Sequence, residues 1–155
     1  FSGGALSDIN IYNLHFTIGL FGKPNTVQYF PTIQRGIDTS GVAILKYDDF
    51  TSVCVGAKDT RSRCMAQIQG EKGYAVVETS KCAVLKIYKD GKEENLTLPQ
   101  NDIALYYEVK EFNRLFTEQD YTTCYQKLEY SRTVMEVYEA ARKDGGIIFD
   151  ADHIA

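Results

Sequence analysis

Asp8, Tyr12 and His15 follow one another at spacings of four and three residues near the start of the chain. On a helix advancing about 100° per residue, Tyr12 lies about 40° to one side of Asp8 and His15 about 20° to the other. The three therefore share one narrow face, which Gly19 extends. A carboxylate, a phenol and an imidazole within a turn of each other can move a proton to or from a substrate hydroxyl or carbonyl. They also suit a structural role, with Asp8 bonding locally and the other two as satisfied core polars, and spacing alone does not choose between these.

The element that positions them is a helix from Ala5 to Phe21, opened by Gly3-Gly4 and stopped by Gly22-Lys23-Pro24. Asn10, Asn13 and Thr17 fall on the opposite face, with Ile9, Phe16 and Leu20 on one flank and Ile11, Leu14 and Ile18 on the other. An ordinary amphipathic helix has one polar face; this one has two. If one meets water, the other turns inward or into a cleft, and the Asp8 stripe is expected to be the inward one.

Residues 26–98 read as a strand meander. The expected strands are Gly41–Tyr47, Thr51–Ala57, Met65–Gln69, Tyr74–Glu78, Cys82–Tyr88 and Glu94–Leu98, with turns at Asp48-Asp49, Gly70–Gly73 and Asp90-Gly91. Connections this short require antiparallel pairing. Leu105, Val109, Phe112 and Phe116 form one helical stripe. A last helix runs from about Tyr121 to Lys143, with Thr117 or Asp120 as cap, Gly145-Gly146 as stop, and Leu128, Val134, Met135, Tyr138 and Ala141 on its apolar side. The expectation is one α+β domain of 155 residues, an open, mainly antiparallel sheet with helices packed on one face. Strands such as Val42–Leu45 and Val84–Ile87 are apolar on both faces; edge effects or a covering loop would give this pattern, and the reading preferred is a homodimer or higher homo-oligomer built through the open face.

A net charge of −4 gives no basic surface for nucleic acid or an anionic membrane. No apolar run approaches the about 20 residues of a membrane span, and no signal peptide is visible, so the cytoplasm is expected. Phe1 reads as a cut end, since no initiator Met precedes it. The four cysteines form no C-x-x-C pair and there are two histidines, so no metal site is expected and the cysteines read as small hydrophobes in a reducing compartment.

The stretch Gly3-Gly4-Ala5-Leu6-Ser7-Asp8-Ile9-Asn10-Ile11-Tyr12 resembles the G-G-x-L-x-D-I-G-x-H/Y motif of the glucose–fructose oxidoreductase, inositol dehydrogenase and rhizopine catabolism family. The resemblance continues through Phe21-Gly22-Lys23-Pro24, Gly70-Glu71-Lys72-Gly73, Met135–Ile148 and Asp150, in the family's order. It implies an α+β C-terminal domain of an NAD(P)-dependent oxidoreductase acting on a sugar, polyol or diol. NAD or NADP would be bound mainly by an N-terminal Rossmann domain absent here, so the chain alone should not catalyse. Within the motif, Asp8 and Tyr12 match the family's catalytic positions. Gly3 and Gly4 would lie at the cofactor and Asn10 at the substrate; His15, outside the motif, is placed on the substrate side or behind it. Asn10 replaces the family's usual Gly. The Ile11-Tyr12 pairing and the helix from Tyr107 to Phe116 look similar to the dihydrodiol dehydrogenase branch. The chain lacks a G-x-G-x-x-G fingerprint, and Glu71-Lys72-Gly73 reads as a turn. The alternative is a stand-alone binding or assembly module without activity.

Overall fold

A computed structural model describes residues 3–78 and 83–153. The order of elements is a π-helical turn Leu6–Asn10, α1 (Ile11–Phe21), β1 (Thr26–Gln34), β2 (Ile37–Lys46), β3 (Thr51–Ala57), β4 (Met65–Gly70), β5 (Gly73–Glu78), β6 (Val84–Lys89), β7 (Lys92–Asn95), α2 (Tyr106–Glu118), α3 (Tyr121–Asp144) and a 3-10 turn Asp150–His153. This is an α+β fold with antiparallel strands. Instead of one meander the strands form two open sheets, β1-β2-β3 and β4-β5-β6-β7. The chain divides accordingly into two compact units, residues 1–61 with 120–155, and residues 62–119.

In the first unit, α1 lies over β3 and α3 over β1, on the same face of the sheet. Between them, Leu6, Leu14 and Ile18 meet Tyr29, Ala43, Leu45 and Cys54 from the strands and Val134, Val137, Tyr138 and Ala141 from α3. The buried stripe of α3 recurs every three or four residues from Val134 and continues back to Tyr130. Leu128 and Met135, expected on that side, are off this track and exposed. Asp120 caps α3 by accepting the Thr123 amide, and Gly145 ends it.

β1 was not separable as a strand in the sequence because Pro31 interrupts it. A residue without an N–H survives here because β1 is an edge strand. Opposite Thr32 and Ile33 the register jumps from Ser40 to Asp38, so Thr39 is an extra residue in β2. The bulge reverses the in–out alternation below it and turns the Asp38 side chain into the core.

Asp38 is 3% exposed. Its Oδ2 accepts the Leu6 amide at 2.7 Å and the Tyr29 hydroxyl at 2.7 Å, so the carboxylate ties the start of the first helix to β1 and β2. A side chain at Gly4 would collide with Asp38 Oδ1, which makes glycine a requirement of this approach. Burial, the Asp38 hydrogen bond and the Asp38 charge push the Tyr29 phenol well above its ordinary range.

At the far end of α3, Arg142 is 2% exposed. It pairs with Glu139, bonds both Asp152 oxygens at 2.6 and 2.8 Å, donates to the Ile147 carbonyl and stacks on Phe149. One guanidinium thus secures the segment after α3. The Arg142 hydrogen bonds and the Phe149 amide hold the Asp152 carboxyl down at about 2.

In the second unit, β5 and β6 pair Gly73–Glu78 with Val84–Lys89, and Asp90 and Gly91 both take left-handed backbone, making the expected hairpin. That two-residue turn starts β7 at Lys92 rather than Glu94. Past Asn95, the Thr97 hydroxyl takes the Leu85 amide instead of a ladder bond. Cys82, the expected start of β6, lies outside the described residues. α2 carries the predicted stripe but has no buried side chain.

Asp38→Ala leaves the Leu6 amide and the Tyr29 hydroxyl without their acceptor. The expected loss in urea unfolding followed by circular dichroism is about 3 kcal/mol; a loss below about 1 kcal/mol would remove Asp38 as the anchor. A second outcome concerns acid. A depressed carboxyl contributes stability above its unfolded value, about 3.9, and loses it as pH falls through about 2. Protection of the Phe149 amide, which donates to Asp152 at 2.7 Å, should therefore fall between those pH values in wild type, and be low throughout in Asp152→Asn.

Candidate functional site

The two polar faces of the first helix exist, in the opposite arrangement to the one expected. Asn10, Asn13 and Thr17 turn toward the sheet. Asn10 is fully buried: its Nδ2 donates to the Gly41 carbonyl and its Oδ1 accepts from Asn13 Nδ2. Asn13 Nδ2 also reaches the Val55 carbonyl at 3.1 Å, and the Thr17 hydroxyl meets Ser52 and Cys54. Gly56 leaves the space that the Asn10 amide fills. With both ends of its side chain committed, Asn10 seats the helix on the sheet and is not available to a substrate. This corrects its assignment as a substrate-binding residue.

Asp8, Tyr12 and His15 face away from the sheet. Tyr12 is 72% exposed, so the stripe is an open outer face of this unit and not an inward one. Asp8 lies within the π-helical turn, a wide backbone turn found often at functional sites. Its Oδ2 is 2.7 Å from Lys58 Nζ, and the same ammonium donates to the Gly3 carbonyl at 2.7 Å. His15 is partly buried against Tyr130. The Tyr130 hydroxyl donates to the His15 carbonyl at 2.6 Å and so accepts from Nδ1 at 3.1 Å, leaving Nε2 without a hydrogen-bond partner among the described residues. Burial pushes the His15 pKa below its ordinary value, which favours the neutral ring near pH 7.

Gly3 and Gly4 differ in what surrounds them. A side chain at Gly3 would meet nothing, whereas Gly4 is closed over by Asp38. A cavity of about 420 Å³ opens beside them, walled by Ser7, Ile37, Tyr138 and the segment Ile147–Ala151. Ser7 and Tyr138 bond each other through their hydroxyls at 2.8 Å.

Lys58, Asp38, Tyr130 and Arg142 were not singled out from the sequence. Lys58 had one legible signal, a lone cation directly after a strand. Asp38 depends on the bulge, Tyr130 on a pairing with His15 115 residues away, and Arg142 on the segment from Ile147 to Asp152 folding back over it.

No family model matches the chain. It is 36% identical over 154 residues to scyllo-inositol 2-dehydrogenase (NADP(+)) IolU of Bacillus subtilis, covering 97% of this chain and 47% of that protein. It is 32% identical over 157 residues to the uncharacterized oxidoreductase YgjR of Escherichia coli, covering 99% and 47%. The first of these names is in keeping with the resemblance to the glucose–fructose oxidoreductase, inositol dehydrogenase and rhizopine catabolism family. The chain spans about half the length of the curated relatives it matches. Among solved structures, a mutant of the 3-ketoreductase KijD10 from Actinomadura kijaniata, in complex with TDP-benzene and NADP, has the same fold at a TM-score of 0.76 and 17% identity, covering 92% of this chain and 48% of that one. Aldose-aldose oxidoreductase from Caulobacter crescentus, complexed with glycerol, does so at 0.67 and 19%, covering 91% and 46%. No helix among the described residues is long and apolar enough to cross a membrane.

The observed faces of the first helix predict opposite behaviour for two neighbouring residues. Asn10→Ala should cost about 2 kcal/mol in urea unfolding, because it strands the buried Gly41 carbonyl. Tyr12→Phe should stay within about 0.5 kcal/mol of wild type, as exposed substitutions do. Equal effects would contradict the arrangement.

Proposed function

We propose that this chain forms the substrate-facing and oligomerising half of an NAD(P)-dependent oxidoreductase that reduces or oxidises a cyclic polyol or sugar carbon. The observation that carries this is the Asp8–Tyr12 pair, held on an exposed helix face in a chain that matches half of an inositol dehydrogenase along its whole length. An open face bearing a carboxylate and a phenol beside a lysine suits completion by a second domain. The named relative points to a cyclic polyol in preference to the dihydrodiol expected from the Ile11-Tyr12 pairing.

Of the residues present, the Gly3 backbone is open to approach by a nucleotide, while Gly4 is shut off by Asp38. The cofactor would therefore be held mainly by residues other than 1–155. When bound, it supplies or accepts the hydride. Tyr12 would donate its phenol proton to the carbonyl oxygen when a ketone is reduced, and take a proton from the hydroxyl when an alcohol is oxidised. The Asp8 carboxylate accepts a hydrogen bond from a neighbouring substrate hydroxyl and fixes the ring, and His15 Nε2 serves a second hydroxyl. On the sheet's far side, Phe30, Val53 and Val55 are exposed around Val42 and Ile44, an apolar face suited to a symmetric homodimer.

In the complete gene product, Tyr12→Phe should lower turnover of scyllo-inositol with NADP⁺ by about 10²–10⁴-fold, with little change in nucleotide affinity. Turnover near that of wild type would take Tyr12 out of the chemistry.

A further inference from the structure

We propose that Lys58 is a positioning residue of the same site, resting on the function just proposed: it sets the Asp8 carboxylate in place by clamping it to the backbone of the glycine motif. The geometry comes from three connections. Lys58 Nζ donates to the Gly3 carbonyl at 2.7 Å and lies 2.7 Å from Asp8 Oδ2. At its other end, the Lys58 amide donates to the Thr39 carbonyl at 2.8 Å, and Thr39 is the extra residue of the β2 bulge. The bulge that turns Asp38 inward to hold Leu6 therefore also fixes the backbone from which Lys58 reaches outward to hold Asp8.

The contacts explain why a lysine is needed at this point. Asp8 lies in a π-helical turn that leaves the side chain on an open surface, 58% exposed. A carboxylate in that setting samples several rotamers. An ammonium has three donors around one atom and can bond the carboxylate and the Gly3 carbonyl together, which an uncharged side chain of the same length cannot. The clamp leaves Asp8 Oδ1 without a described partner, the oxygen that can accept a substrate hydroxyl. It also fixes the Gly3 carbonyl, so that the open side of Gly3 keeps one orientation. Lys58 contacts neither the Tyr12 hydroxyl nor His15 in the described structure, so its effect passes through Asp8 and Gly3.

Misplacing a substrate-orienting group by about 1 Å costs on the order of 10²-fold in rate, and loss of a supporting contact about 10–100-fold. The test uses the complete gene product with scyllo-inositol and NADP⁺, comparing wild type with Lys58→Met, Lys58→Arg and, as a control for loss of a surface ammonium, Lys46→Met. Lys58→Met is expected to lower kcat by about 10–100-fold with KM for both substrates changed by less than about threefold, Lys58→Arg to regain most of the loss, and Lys46→Met to have no effect. In the same proteins the Gly3 carbonyl and Asp8 carboxylate carbon resonances should move in Lys58→Met and stay near their wild-type positions in Lys58→Arg. Unchanged kcat in Lys58→Met, or a Lys58→Arg no better than Lys58→Met, would overturn the proposal. If wild type turns over no polyol, the functional reading fails on its own. The resonances then decide Lys58: unmoved in Lys58→Met, they refute the clamp; moved together, they uphold it.

Discussion

A buried carboxylate organises the glycine-motif end of the first unit. Asp38 sits in the core only because Thr39 is inserted opposite Thr32 and Ile33, and one of its oxygens gathers the Leu6 amide and the Tyr29 hydroxyl. A buried acceptor serving donors from two elements is expensive to disrupt, since either donor left alone carries its full desolvation cost. At the start of the first helix that attachment requires Gly4 to lack a side chain, and the wide turn Leu6–Asn10 that carries Asp8 begins at the residue it holds.

The same helix is fixed on its lower side by amides and a hydroxyl as well as by hydrocarbon. Asn10 and Asn13 bond carbonyls of β2 and β3, Gly41 and Val55, and Thr17 meets Ser52 and Cys54. Directional bonds of this kind fix the rotation of a helix about its axis, which apolar packing of Leu14 and Ile18 alone leaves softer. Rotation is what determines whether Asp8, Tyr12 and His15 point to one place. Polar groups under the helix are thus the means by which those above it acquire a common direction, and Tyr130 adds a restraint from α3 by gripping His15 through both its carbonyl and its Nδ1.

Much of this was legible from residue order. The helix with two polar faces, the Asp90-Gly91 hairpin, the Asp120 cap and the Gly145 stop all rest on local chemistry, and the structure contains each. Local chemistry could not say which polar face was buried. Two amides and a threonine make the better inner face because they pair with carbonyls without bringing a charge into the core, and that comparison needs the sheet opposite. The strand holding Pro31 was obscured because proline argues against a strand until its edge position is known. Asp38 was unreadable for a sharper reason: a one-residue bulge reverses alternation, so its inward parity is a property of pairing between two strands. Arg142 looked like an ordinary helix-end cation, and its burial depends on Phe149 and Asp152 folding back over it.

The central proposal is that the outer face of the first helix is one half of a hydride-transfer site. A crystal structure of the complete gene product with NADP and a cyclic polyol bound examines that claim most directly. The Tyr12 hydroxyl and the Asp8 carboxylate should lie within hydrogen-bond reach of the polyol, about 2.6–3.2 Å, with the nicotinamide bound at the same face. A nicotinamide lying over a different surface, with Tyr12 still in open solvent, would contradict it.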